Sequence, residues 1–186
     1  DLIVVNDTGS TDGTQDIIRK FGEENNIPTY VFERPFDDFE KSRTWAMEKL
    51  REVVSELKWD ADKIHGYWFD CDEQLIVDST FDKNQFTKDF YMVNTQIGAM
   101  KYTRNTFCRM SKSWSFYGPI HEFIIANDKD VTSGLAENIL VDVSMDGNSW
   151  QGDVSQKYLS HSHKLEAYIA EDRTDPRWIF YTAQSY

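Results

Sequence analysis

Cysteine, proline and basic side chains are all scarce in this chain of 186 residues. Two cysteines, Cys71 and Cys108, cannot build a disulfide scaffold, and the sequence predicts reduced thiols in a cytoplasmic setting. Four prolines and nine glycines exclude a collagen-like or low-complexity chain. Lys and Arg number 20 against 32 Asp and Glu, a formal net charge of −12. Such a field repels nucleic-acid phosphates and anionic membrane surfaces, so neither is an expected partner, and phosphate binding calls for a metal ion. No apolar run approaches the ~20 residues that span a bilayer, and no basic-plus-apolar leader opens the chain. Core-forming material, in contrast, is plentiful: 40% of residues are hydrophobic and 15% aromatic, enough for one packed domain with an appendage.

The apolar, β-branched run Leu2-Ile3-Val4-Val5 reads as a buried strand that breaks into the turn formers Asn6 to Thr14. A helix follows, with Ile17, Ile18 and Phe21 on one face and Thr14 or Asp12 as cap, then a strand at Tyr30-Val31-Phe32. Strand, loop, helix and strand in about thirty residues form the unit of a parallel sheet covered by helices. Apolar residues from Phe39 to Leu57 recur every three or four positions, which predicts a longer helix from Asp37 or Asp38. The strand Gly66 to Phe69 ends in Asp70-Cys71-Asp72-Glu73, at the strand end where open α/β sheets present ligands. Phe90 to Met110 predicts two or three antiparallel strands, and Ile139 to Val143 one more. After a polar loop, helical period returns from Tyr158 to Ile169, and Pro176 suits the first turn of a last helix.

Asp70-Cys71-Asp72 is an Asp-x-Asp pair whose hard oxygens suit Mg²⁺ or Mn²⁺, ions that also take oxygens from a diphosphate. A metal there neutralises charge developing on a leaving diphosphate. The loop Asp7 to Thr14, rich in small residues and leading into a helix, suits nucleotide contacts. As a calcium loop it fails, because Asp12 stands where the tight turn needs glycine and Ile18 where a bidentate acid is needed. Asp7-Thr8-Gly9-Ser10 also matches an aspartic-protease loop, but that chemistry needs two carboxylates sharing a proton and no second such motif exists. Asn6-Asp7-Thr8 formally fits a glycosylation sequon, which its place in the candidate site disfavours.

Val4 to Thr14, then Phe36-Asp37-Asp38-Phe39 with Arg43 and Ala46, then Trp68 to Glu73, then Gly118-Pro119-Ile120-His121-Glu122 follow one another in an order that resembles family 2 glycosyltransferases. The resemblance implies an α/β, GT-A (Rossmann-like) fold with a mostly parallel sheet flanked by helices, spanning residues 1–153, with a first strand expected ahead of Asp1. Residues 154–186 resemble the start of a tetratricopeptide-like helical extension, most clearly from Asp175 to Tyr186. The implied activity is metal-dependent, inverting transfer of a hexose-type sugar from a nucleotide-sugar donor, UDP-sugar favoured, to a glycan, lipid or protein acceptor. By position, Asp7 with Thr8, Gly9 and Ser10 contacts the base, Arg43 lies near the base or diphosphate, and Asp70 with Cys71 lies near the ribose. Asp72, with Asp70, holds Mn²⁺ or Mg²⁺, and Glu73 supports the metal shell. Glu122 is the candidate general base and His121 orients it or the phosphates.

Where the family has His-x-Gly, this chain has Met145-Asp146-Gly147, which removes a histidine metal ligand. His161 and His163 stand two apart, on different faces of a helix, and read as surface residues. Trp114, Phe116, Tyr117 and Trp150 are candidates to stack on a sugar, with core packing the commoner use of such rings; Trp45, Trp59, Phe86 and Trp178 are assigned to packing. Two other functions compete. One is a binding module of this fold without catalysis; the other is a nucleotidyltransferase, for which the glycine-rich loop with a basic residue is missing.

Overall fold

The run that opens the chain forms β1 (Ile3–Asp7), followed by α1 (Thr14–Asn25) and β2 (Thr29–Glu33). β1 and β2 pair in parallel, from Ile3 opposite Thr29 to Asp7 opposite Glu33, as the expected strand-helix-strand unit requires. The computed structural model describes residues 1–144, 153–171 and 175–186. The readings placed on Met145-Asp146-Gly147 and Trp150 lie outside the described residues.

α1 packs through a different stripe from the one its sequence suggests. Ile17 is 68% and Phe21 52% exposed, while Gly22 is buried. A Cβ on Gly22 would come within 2.1 Å of the Thr29 hydroxyl, so glycine lets the helix lie close on β2.

α2 (Phe39–Glu56) is the structural centre. Asp38 caps it by accepting from the Lys41 N–H at 2.7 Å, which satisfies an otherwise orphaned donor. Met47, Val53 and Val54 are buried along one face, and Met47 and Val54 pack in a cluster with Cys108, Met110, Trp114, Phe116 and Ile124. The Thr44 hydroxyl accepts the Phe116 N–H at 2.8 Å and ties the helix to β7 (Trp114–Tyr117).

The remaining strands are β3 (His65–Tyr67), β4 (Glu73–Val77), β5 (Phe90–Ile97), β6 (Met100–Arg109), β8 (Phe123–Ala126) and β9 (Ser133–Val143). Five of them form one sheet in the order β3-β6-β5-β9-β4, and β7 and β8 form a separate antiparallel pair. The fold is mixed α/β. The mostly parallel sheet expected from the sequence is not what the described strands form: β5–β9 is parallel, whereas β3–β6, β5–β6 and β4–β9 are antiparallel. The reason is connectivity, since β5 and β6 are joined by a hairpin at Gly98, φ +55°, rather than by a helical crossover. Tyr91, Val93, Ala136, Ile139 and Val141 make a second core cluster on this sheet.

At the end of the chain, α3 (Val154–Ala170) and α4 (Pro176–Ser185) carry a third cluster of Leu165, Tyr168 and Trp178, against which Tyr117 and Phe123 pack. Asp175 caps α4, accepting from the Arg177 N–H at 2.8 Å, and Pro176 occupies the first turn. Among the described residues no helix is long and apolar enough to cross a membrane.

Candidate active site

Three of the residues singled out in the sequence meet at one point. Arg43 projects from α2, Asp70 lies in the turn between β3 and β4, and Glu122 in the turn between β7 and β8. Arg43 Nη2 donates to both Asp70 oxygens, at 2.8 and 3.0 Å, and Nη1 donates to Glu122 Oε1. The guanidinium lies 5.0 Å from the Trp68 ring centre, 5.4 Å from Phe39 and 5.7 Å from Phe116, and the Trp68 indole N–H donates to Asp70 Oδ1 at 3.1 Å. Rings on several sides exclude water from a planar cation whose fork matches carboxylate geometry, so the group is held in one orientation. Side-chain exposure is 18% for Arg43 and 10% for Glu122. Only Glu122 Oε1 is engaged; Oε2 has no hydrogen-bond partner among the described residues.

The acidic turn is braced from inside. Glu73 accepts the Asp70 N–H at 3.2 Å and is itself buried in an ion pair with Arg104 of β6. Burial pushes the Glu73 carboxyl above its ordinary range while Arg104 pulls it back. Glu73 therefore anchors the turn that carries Asp70 and Asp72 from inside. Asp72 presents its carboxylate without a hydrogen-bond partner among the described residues, and its carbonyl accepts the Ser144 N–H at 2.8 Å. Cys71 between them is exposed.

Asp7 belongs to a second network. Its Oδ1 accepts from the N–H groups of Gly9 and Ser10, at 3.0 and 2.9 Å, and from Gln15 Nε2 at 3.1 Å. The Ser10 hydroxyl and amide, then the Gly9 amide and Gln15, hold the carboxyl down at about 2, against an opposing push from burial. Gly9 makes the turn at φ +113°, a region that costs other residues strain. Thr8, Gly9 and Ser10 are exposed. The loop is tied to α2 through Asn6, whose Nδ2 donates to the Ser42 carbonyl at 3.1 Å, one residue before Arg43.

His121 adopts φ +55°, and its ring stacks on Tyr181 of α4 at 4.2 Å rather than on Glu122. Partial burial, then Arg177 and Lys157, lowers its pKa. His161 lies half-buried with its ring 6.2 Å from that of His121, and His163 is exposed. Trp114 and Phe116 are core residues, and Tyr117 packs on Trp178 at 5.6 Å. Trp178, Trp59, Phe86 and Trp45 all pack as expected. No cluster of three or more His, Cys, Asp or Glu side chains poised for a metal exists among the described residues. A groove of about 990 Å³ lies over Asn94, Thr103, Leu140 and Ile76 at the Val77 end of β4, and none of the candidate site residues lines it.

Sequence reasoning missed Phe39 and Trp68 as the ring support of Arg43, and Arg104 as the brace of Glu73. Phe39 and Arg43 are four apart on a helix, and Trp68 is two before Asp70, so both spacings carried the signal. Arg104 carried none.

No protein-family model matches the chain, and no curated protein matches it.

Proposed function

We propose that the chain is a nucleotide-sugar-dependent glycosyltransferase of GT-A type, transferring a hexose-type sugar to an acceptor hydroxyl with inversion. The observation that carries this reading is the meeting of Arg43, Asp70 and Glu122 from three separate segments, within one helix of the Asp7 loop. On this reading the Asp7 loop and Asp70 receive the nucleoside of a UDP-sugar, and Arg43 sits beside its diphosphate.

Glu122 is the general base. Arg43 fixes the carboxylate through Oε1, which leaves Oε2 open to take the acceptor proton as that oxygen attacks the anomeric carbon from the face opposite the diphosphate. The resemblance also implies a divalent metal. The Asp72 carboxylate, which has no hydrogen-bond partner among the described residues, fits one, since Mg²⁺ is commonly held by one or two protein carboxylates plus substrate phosphates. Asp70 fits less well, because both its oxygens are committed to Arg43. When bound, Mn²⁺ or Mg²⁺ supplies neutralisation of the leaving diphosphate. A glycan, lipid or protein supplies the acceptor hydroxyl, and a cytoplasmic setting suits two free thiols.

A non-catalytic module of the same fold is disfavoured by the shared contact of Glu122 and Asp70 on one arginine, which keeps the base beside the acidic turn. The test is thermal stability with UDP-, GDP- and dTDP-sugars, each with and without Mn²⁺, followed by transfer with the stabilising donor. A metal-dependent rise in Tm for one base, with transfer lost on the order of 10²-fold or more in Glu122→Gln and donor binding kept, is the expected result. Undiminished turnover in Glu122→Gln removes the base assignment, and no shift with any donor removes the transferase reading.

A further inference from the structure

Five residues, Gly118 to Glu122, connect β7 to β8 and present the candidate base, and two of them have left-handed backbones: Gly118 at φ +110° and His121 at φ +55°. A turn of this shape needs outside support, because a non-glycine residue at positive φ is strained. That support comes from two directions. On one side α2 contributes Glu40, whose Oε2 accepts the Gly118 N–H at 2.7 Å, and Arg43, three residues on, which holds Glu122. On the other side stand α3 and α4. The Tyr168 hydroxyl donates to the same Glu40 oxygen at 2.9 Å, and Arg177 Nη2 donates to the His121 carbonyl at 3.3 Å. The Arg177 guanidinium also lies 4.6 Å over Phe123, the residue after Glu122. Trp178 is fully buried against Gly118, so near that a Cβ there would fall 2.1 Å from the indole ring.

We infer that α3 and α4 position the Gly118–Glu122 turn, with Tyr168 and Trp178 as positioning residues that act through Glu40 and Gly118. The inference rests on the reading of Glu122 as base for its catalytic consequence, and on the contacts alone for its structural one. A helical appendage starting an independent repeat array would place its buried aromatic and its hydroxyl within its own layers. Here Tyr168 and Trp178 pack on each other and also reach out of their layer, to Glu40 and Gly118 at the turn that carries the candidate base.

The experiment compares amide hydrogen exchange over residues 117–123 with transfer kinetics in the full chain. Tyr168→Phe removes a single hydroxyl, and Trp178→Phe removes ring volume and no hydrogen bond, because the indole N–H has no partner among the described residues. Exchange of the turn is expected to quicken about fivefold or more in either variant, with exchange in β5 unchanged, since Tyr168→Phe loses a hydrogen bond to a charged group and Trp178→Phe loses packing against Gly118, and either loss releases a local opening. In transfer, kcat falls about tenfold with donor KM unchanged, and the loss disappears when Tyr168→Phe is combined with Glu122→Gln, as expected of residues acting as a unit. Unchanged exchange in both variants overturns the inference, as does a defect confined to KM. Quickened exchange in a protein that transfers from no donor upholds the positioning and sinks the transferase reading instead.

Discussion

Asp7 and Arg43 are each held by several hydrogen bonds, but their partners lie at very different distances along the chain. Asp7 is satisfied within eight residues, by Gly9, Ser10 and Gln15. Arg43 reaches Asp70 and Glu122, 27 and 79 residues away, and is walled by rings from three elements. The surroundings differ in the same sense. Asp7 is itself buried, but Thr8, Gly9 and Ser10 beside it are exposed and α1 leaves Ile17 and Phe21 in solvent, whereas Arg43 sits beside the Met47–Trp114–Phe116 core. A local network survives small changes in packing, because its members follow one another in the backbone. The Arg43 centre exists only when three chain segments are already in place, so its loss costs more.

Arg43→Met should separate the two regions most sharply. It leaves Asp70 and Glu122 facing each other without a cation, at a cost of about 3 kcal/mol in urea unfolding, and it abolishes transfer. A loss below roughly 1 kcal/mol would place this centre among ordinary surface pairs.

Asp7→Asn should do less, about 2 kcal/mol, because the side chain is buried but its partners are neutral N–H and hydroxyl groups of its own turn and no opposing charge is stranded. Its pH dependence provides the sharper reading. The folded pKa of about 2 lies below the ordinary 3.8, so the contribution is complete above the ordinary value and is lost as pH falls toward 2. The stability gap between the parent protein and Asp7→Asn should therefore close between pH 4 and pH 2; a gap that persists at pH 2 would mean the carboxylate charge is not what holds the loop.

Asp72→Ala should move stability least, within about 0.5 kcal/mol, because the carboxylate it removes has no partner among the described residues. Its expected effect is confined to ligand: the Mn²⁺-dependent rise in Tm with a nucleotide-sugar disappears. A rise that survives would move the metal away from Asp72.

Particular elements show why some of this was legible. α2 was readable because its apolar positions recur at helical spacing and Asp38 marks its start. The β1–α1–β2 unit was readable because turn formers separate its strands from its helix. β4 was not, since it opens on buried Glu73 and ends on Ile76 and Val77, 45% and 46% exposed, so no alternation of apolar and polar residues announces it. β8, four residues long, lies so close behind the Gly118–Glu122 turn that the motif masked it. The β5–β6 pair was readable as antiparallel strands over Phe90 to Met110, whereas the mostly parallel sheet failed because β3–β6 and β4–β9, pairings between segments far apart in the chain, are antiparallel too.

The local devices are therefore written directly in the order of residues. The Asp7 turn, the Asp38 and Asp175 caps and the stripe of α2 each depend on neighbours no more than a few turns away, and forming them closes no long loop. Tertiary structure alone decided that Arg43 would face Asp70 and Glu122, that Glu73 would turn inward to Arg104, and that Trp178 would rest against Gly118. Those contacts are paid for by burying rings and sheet faces contributed from distant segments, and no short window of sequence contains both the charge and the surface that buries it.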